Sequence, residues 1–367
     1  MRFRRIGLVA LIALAVAVPG VGTAQAGGHG HGHGHGDDAI VIAHRGASGY
    51  RPEHTLGAYK LAIQLGAAYI EPDVVSTRDG VLVARHENEI SGTTDVAAHG
   101  EFAGRKTTKT IDGVAVTGWF TEDFTLRELK TLRAKERLPD LRPSNTAYDG
   151  RYEIPTLQEV IDLVKRESKR QHRRIGIAPE TKHPTYFASI GLPLEKPLIR
   201  TLRKNDLDHR RSKVVIQSFE VSNLKALAKQ TDVELAQLVN ASGAPYDFIA
   251  KGDPRTYDDL LTPAGLRELS RYADWVAPEK GRIIPRDASG GMMQPTALVR
   301  NAHRAGLRVV TWTFRAENTF LPADFRDGTD PAAHGDLVGE IQTYLRTGLD
   351  AIFTDFPDIG VEAVSDF

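Results

Sequence analysis

No cysteine occurs anywhere in the 367 residues. That excludes a disulfide framework, a thiolate metal site, a cysteine nucleophile and a lipid-modified terminal cysteine. Net charge is missing too, since 47 basic residues balance 47 acidic ones. A chain with no basic surplus is poorly suited to general nucleic-acid or anionic-membrane binding. Nor does any apolar run reach the roughly 20 residues that a membrane-spanning helix needs. The longest unbroken one covers residues 6–18.

That run sits in a recognisable pattern. Arg2, Arg4 and Arg5 precede it, and the small residues Ala24-Gln25-Ala26 follow it. A basic start, a short apolar stretch and a small-residue cleavage site make residues 1–26 a secretory signal peptide, so a secreted or periplasmic protein is expected. Loss of those three arginines leaves 44 basic against 47 acidic residues. The adjacent Arg4-Arg5 pair is compatible with either a general or a twin-arginine export route. An exported chain without disulfides relies on a large apolar core or on bound ligands, and 41% apolar composition provides for a core. No stable membrane anchor is expected after cleavage.

In residues 27–38, His29, His31, His33 and His35 alternate with glycine. Such a stretch forms no stable helix or strand and reads as a flexible tether with side affinity for transition metals. From residue 39 to about 361, short β-branched runs alternate with helical patterns, the signature of a parallel α/β fold. Candidate strands are 40–43, 69–75, 81–85, 175–179, 214–218, 233–239, 275–277, 309–313 and 351–354. Helices are expected over 56–65, 157–167, 221–229, 263–272, 296–305 and 337–347. Thr156 with Glu159 forms a capping box, and Gly306 and Gly348 stand where two helices stop.

Charged residues recur at strand ends, as a TIM (β/α)8 barrel requires to build one site. Nine candidate strands are one too many; the link between 75 and 81 is too short for a crossover helix, so a hairpin is possible there, and parallel strands would still end at the same rim. Simple pairing about Asp79-Gly80 would set position 86 opposite position 73. Residues 89–153, polar and rich in threonine and glycine, interrupt the alternation. They read as an insertion capping the barrel mouth, with one helix starting after Thr125 and capped by Glu128. Trp119, Phe120 and Phe124 read as its own small core.

Chemistry concentrates at the strand ends. His44-Arg45-Gly46 follows the first strand, offering a proton-transfer group and a guanidinium suited to phosphate. Glu71 and Asp73, two apart on a strand, project together, and a cation or proton must sit between them. His86 ends the next run and arrives at the same rim. Glu180 and Lys182 repeat the two-residue spacing, adding a third carboxylate and an ammonium. Three carboxylates with no cysteine and no histidine cluster suit a hard divalent cation, calcium before magnesium outside the cytoplasm. Arg45, Lys182 and that cation would surround an anion, and two histidines on it suit acid/base cleavage of a phosphoester.

The strings His44-Arg45-Gly46-Ala47-Ser48-Gly49, Pro52-Glu53-His54-Thr55, Glu71-Pro72-Asp73-Val74, Asp79-Gly80 and His86-Glu87 fall in order along the chain. Glu180-Thr181-Lys182, Gln217-Ser218-Phe219, Trp312-Thr313-Phe314 and Thr354-Asp355-Phe356-Pro357 follow them. Together they resemble the glycerophosphodiester phosphodiesterase family, and the long segment after His86 is similar to that of exported members. The resemblance implies a TIM barrel and hydrolysis of a small-molecule glycerophosphodiester to sn-glycerol 3-phosphate and an alcohol. It implies metal ligation by Glu71, Asp73 and Glu180, and acid/base roles for His44 and His86. It also implies substrate binding by Arg45, Lys182, Phe219 and Trp312. Proline at 72 and histidine at 183 depart from the family pattern.

Glu53 and His54 are expected to cap and orient the first helix, while His99, His172, His183, His209, His303 and His334 read as surface histidines. Asp355 is left unassigned. A sphingomyelinase D-like or phosphatidylinositol-cleaving phosphodiesterase would share this framework. A glycoside hydrolase could use the carboxylates but has little use for Arg45 and Lys182 beside two histidines. A metal-binding protein built on the histidine tract is the non-enzymatic alternative.

Overall fold

A computed structural model describes residues 39–367. The expected signal peptide and the histidine–glycine tether lie outside the described residues. Among the described residues, no helix is long and apolar enough to cross a membrane.

The strands follow the expected alternation. β1 (Ile40–Ala43), β2 (Tyr69–Ile70) and β3 (Asp73–Ser76) come first, then β4 (Leu82–Ala84), followed by a separate hairpin of β5 (Thr107–Ile111) and β6 (Val114–Gly118). β7 (Gly176–Ile177), β8 (Glu180–Thr181), β9 (Val215–Ser218), β10 (Glu234–Val239), β11 (Trp275–Pro278), β12 (Arg308–Phe314) and β13 (Ala351–Thr354) complete the set. Two of these pairs are single strands broken by proline. Pro72 separates β2 from β3, and Pro179 separates β7 from β8. A proline cannot donate to the ladder, so pairing lapses there and resumes two or three residues on.

With those breaks joined, eight parallel strands close. β1 pairs with β2, β2 with β7, β3 with β8 and β8 with β9. From β9 the order runs through β10, β11, β12 and β13 back to β1. The expected ninth strand is β4, which pairs antiparallel with β3 outside the barrel count. Its register differs by one from simple pairing, because Thr77 and Val81 still pair and leave a three-residue loop closed by Gly80 at φ 76°. Arg85 therefore sits opposite Asp73, and His86 lies just past the end of the strand.

Strand alternation divides the core as the pleat demands. Ile42, Val215, Ala236, Leu238, Trp275, Val310 and Phe353 fill the barrel interior. Val41, Ala43, Val74, Ile216 and Val309 face the surrounding helices. The first of these, α1 (Leu56–Gln64), is capped by the Thr55 hydroxyl, which accepts from the Ala58 amide at 3.0 Å.

Between β4 and the barrel's next helix, the chain is more ordered than its composition suggests. α2 (Leu126–Leu129) carries the expected Thr125–Glu128 capping box, and α3 (Leu157–Arg170) carries the Thr156–Glu159 one. The β5–β6 hairpin was not anticipated. Its Asp112-Gly113 turn has positive φ at both residues, 46° and 82°, as a type I′ turn requires. Trp119 and Phe124 pack into the same apolar cluster that backs the barrel, not into a separate small core.

Candidate active site

All barrel strands deliver their C-terminal ends to one rim, where a cavity of about 500 Å3 opens. His44, Arg45, Glu71, His86, Glu180, Phe219 and Trp312 line it. The other two expected residues, Asp73 and Lys182, stand just behind that wall, 1% and 6% exposed.

Glu71, Asp73 and Glu180 each offer an oxygen, and these oxygens all lie within 4.8 Å of one another. Only parts of the triad are satisfied by neighbours. Glu71 accepts from the Gln217 amide at 2.7 Å and from the Arg45 backbone N–H at 3.1 Å. Glu180 pairs with Lys182 Nζ at 2.9 Å. Asp73 Oδ2 accepts from His54 Nε2 at 3.0 Å, while its Oδ1 is buried with no partner. Burial and the neighbouring Asp73 charge raise the Glu71 carboxyl well above its usual range. Burial likewise pushes Glu180 up to about 7, against the pull of Lys182. Asp73 moves down instead, because His54, Lys182 and His86 together outweigh the cost of burial. Three crowded carboxylates with an orphaned oxygen fit a divalent cation held by oxygen ligands.

The histidines are each oriented from behind. His44 Nδ1 meets Asp355 Oδ1 at 2.5 Å, and its Nε2 lies 3.9 Å from Glu71 Oε2. Burial and then Arg45 lower the His44 pKa to about 4, although Asp355 opposes them. His86 Nδ1 meets Glu87 Oε1 at 2.8 Å, and its Nε2 is 3.3 Å from Lys182 Nζ. Burial, Arg45 and Lys182 bring its pKa down to about 3. In both rings a carboxylate at Nδ1 selects the Nδ1–H tautomer, leaving Nε2 as the lone-pair nitrogen.

Arg45 adopts φ 60°, its NH1 bonds Glu53 at 3.1 Å, and its Nε is buried without a partner. That Nε lies 3.8 Å from Asp73 Oδ2, so the guanidinium stands between two carboxylates while the residue lines the cavity. Phe219 and Trp312 meet edge to face at 5.7 Å between ring centroids and form the apolar wall.

Several residues take places that sequence reasoning did not give them. His54 does not cap α1, which Thr55 does; it bridges Asp73 and the Tyr59 hydroxyl. Glu53 pairs with Arg45 and with Arg137 at 2.7 Å. Asp355 anchors His44 and accepts from Arg142 at 2.6 Å and Arg315 at 2.9 Å. His183 is not a free surface residue: it bonds Asp112 at 2.6 Å and Glu87 at 2.8 Å. Lys280, Arg286 and Arg315 add a basic stretch to the cavity wall. Of these, Glu53, His54 and Asp355 lie within the strings that carry the family resemblance, and Asp355 and Arg315 also stand just beyond strand ends.

An eight-stranded α/β barrel with carboxylates, two histidines and cations at its strand ends defines a class of barrel phosphodiesterase. The sequence model of the glycerophosphoryl diester phosphodiesterase family matches residues 44–359. The chain belongs to that family. It is 35% identical over 327 residues to glycerophosphodiester phosphodiesterase GDPD6 of Arabidopsis thaliana, covering 86% of this chain and 83% of the relative. A glycerophosphodiester phosphodiesterase of Haemophilus influenzae is 29% identical over 348 residues, covering 89% of each chain. Among solved structures, an Oleispira antarctica phosphodiesterase in complex with the product sn-glycerol-3-phosphate shares the fold. Its TM-score is 0.58 at 21% identity, over 90% of this chain and 98% of that one.

Proposed function

We propose that this protein hydrolyses glycerophosphodiesters to sn-glycerol 3-phosphate and an alcohol by acid/base catalysis between His44 and His86. The carrying observation is that both histidines open on one cavity, each with a carboxylate at Nδ1 and Nε2 left free of any carboxylate bond. Glu71, Asp73 and Glu180 are the ligands for a divalent cation, calcium in preference to magnesium. When bound, that cation would supply electrophilic charge next to the phosphoryl oxygens. Arg45, its guanidinium held by Glu53 and beside Asp73, adds positive charge next to the same oxygens. Lys182, held by Glu180 beside His86, adds positive charge there. Phe219 and Trp312 shape the apolar side against which the substrate packs.

The glycerol moiety carries a hydroxyl next to the phosphorylated carbon. An attacking group already held near phosphorus has lost its entropy of encounter. In this reading, one histidine Nε2 takes the proton of that hydroxyl as its oxygen bonds phosphorus. The other histidine, whose charged form the anionic phosphodiester favours against the lowering by burial, gives its proton to the departing alcohol oxygen as the second phosphoester bond breaks. Water then opens the cyclic glycerol phosphate with the two roles exchanged. A substrate analogue with hydrogen at the 2-position tests this route. Slow or absent cleavage is expected, and rapid cleavage would replace it with direct attack by water.

Release of glycerol 3-phosphate from glycerophosphocholine, followed by a coupled enzyme with and without chelator, tests the whole assignment. No release in the presence of calcium or magnesium would overturn it. We further place the protein outside the cytoplasm, with residues 1–26 removed, 27–38 as a tether and 39–361 as the catalytic barrel. Mass analysis of the exported form should show an amino terminus at Gly27.

A further inference from the structure

Two residues other than glycine meet in left-handed backbone conformations at the rim, and one contact joins them. Asp112, at φ 46°, sits in the type I′ turn of the β5–β6 hairpin; His183, at φ 48°, immediately follows Lys182. The turn type accounts for Asp112, whereas the strain at His183 persists where the surroundings hold a residue firmly. What holds His183 is a carboxylate on each ring nitrogen, Asp112 at Nδ1 (2.6 Å) and Glu87 at Nε2 (2.8 Å). Both nitrogens must donate, so the ring is an imidazolium between two anions. Its pKa rises to about 9, since the two carboxylates outweigh burial.

Glu87 is the link to the chemistry. Its second oxygen meets His86 Nδ1 at 2.8 Å. The Glu87 side chain is 47% exposed, and such a carboxylate would otherwise sample several rotamers in water. With His183 fixing one oxygen, the other remains aimed at His86. We propose that Asp112 and His183 are positioning residues that lock Glu87, and through it hold His86 as the Nδ1–H tautomer, with Nε2 on the cavity side beside Lys182 Nζ at 3.3 Å. The hairpin of residues 107–118 thereby takes part in setting the state of His86. This rests on His86 moving a proton in the reaction proposed above.

The test reads tautomer and turnover separately. Ring nitrogens of the full-length 15N-labelled chain are observed in long-range 1H–15N spectra, with His86 identified by its loss in His86→Gln. Wild type should show a protonated Nδ1 and an unprotonated Nε2. Asp112→Gly suits the turn while deleting the carboxylate, and His183→Gly removes the imidazole while relieving the backbone. In either folded variant, the His86 signals should move toward a tautomer average. The kcat for glycerophosphocholine should fall on the order of 10–100-fold, as for other supporting contacts behind a reactive group, with KM within about twofold. His183→Gln, whose amide can still donate to Glu87, should recover part of that loss. Unchanged His86 signals in both variants would overturn the proposal, as would a loss of kcat with the tautomer intact. If wild type fails to cleave the diester, a shifted tautomer still upholds the clamp and rejects only the assigned reaction.

Discussion

Replacing Asp355 with asparagine removes one charge and almost no volume, yet the surroundings make it a severe change. Asp355 Oδ2 accepts from Arg142 at 2.6 Å and from Arg315 at 2.9 Å, while Oδ1 faces His44 Nδ1 at 2.5 Å. Both guanidiniums are donors only, so in Asp355→Asn they retain the amide oxygen on their side. The amide NH2 is then forced toward His44 Nδ1. A donor there requires Nδ1 to accept, and the ring switches to the Nε2–H tautomer. That ring can no longer take a proton at Nε2, and its imidazolium has lost its counter-charge. Either catalytic role suffers, and kcat should fall roughly 10²–10⁴-fold, the contribution of a positioned proton-transfer group. Breaking a buried charge cluster also costs about 3–5 kcal/mol of stability. Turnover is therefore measured at low temperature on protein shown to be folded by circular dichroism. A folded Asp355→Asn protein with kcat within about threefold of wild type would refute the tautomer argument.

Chelation should abolish activity, and calcium or magnesium should restore it together with a rise in Tm. An ion at 100 times its Kd adds about 2.7 kcal/mol, and full activity after exhaustive metal removal would sink the assignment of Glu71, Asp73 and Glu180. His44→Ala and His86→Ala should each lower kcat by roughly 10²–10⁴-fold while leaving calcium-induced stabilisation in place. Near-normal turnover in either would return that histidine to a structural role. His183 gives a stability profile of known sign. Its folded pKa of about 9 lies above the unbound value of 6.5, so its contribution is complete below about pH 6.5 and vanishes as pH rises through about 9. The Tm gap between wild type and His183→Gln should narrow over that window, and a gap constant from pH 6 to pH 10 would contradict it.

The parts of the site that the sequence revealed are those tied to a period. Ile42 faces inward and Val41 and Ala43 outward because strand side chains alternate. A parallel barrel then brings every strand end to one rim, so His44, Glu71 and Glu180 group by strand position, whereas Trp312 comes from the family resemblance alone. The spacing rule worked even across Pro72, where the strand breaks yet the Glu71 and Asp73 oxygens still come within 4.8 Å of Glu180 and of each other. The surplus ninth candidate is the antiparallel β4, whose apolar run matches that of a barrel strand. Only the hairpin loop distinguishes it, and its length also shifts the register by one. Loop partners follow no period at all. Arg142 reaches Asp355 across 213 positions, and His183 reaches Asp112 across 71.

Those unpredicted partners share an origin that bears on how the site is assembled. Arg137 of the segment between β4 and α3 bonds Glu53, which pairs with Arg45. Arg142 of the same segment bonds Asp355, which orients His44. Asp112, again from that segment, bonds His183 and so reaches Glu87 and His86. His44, Arg45 and His86 are thus each supported from behind through one charged residue of a single stretch of chain, whereas Lys182 is held by Glu180. Without the stretch, Glu53 and Asp355, 5% and 1% exposed, would lose counter-charges in a setting where an unpaired buried charge is costly. The barrel supplies the rim positions, but order among the rim side chains depends on the segment folding onto it. Cleavage of its backbone should therefore disable the chemistry before it unfolds the barrel.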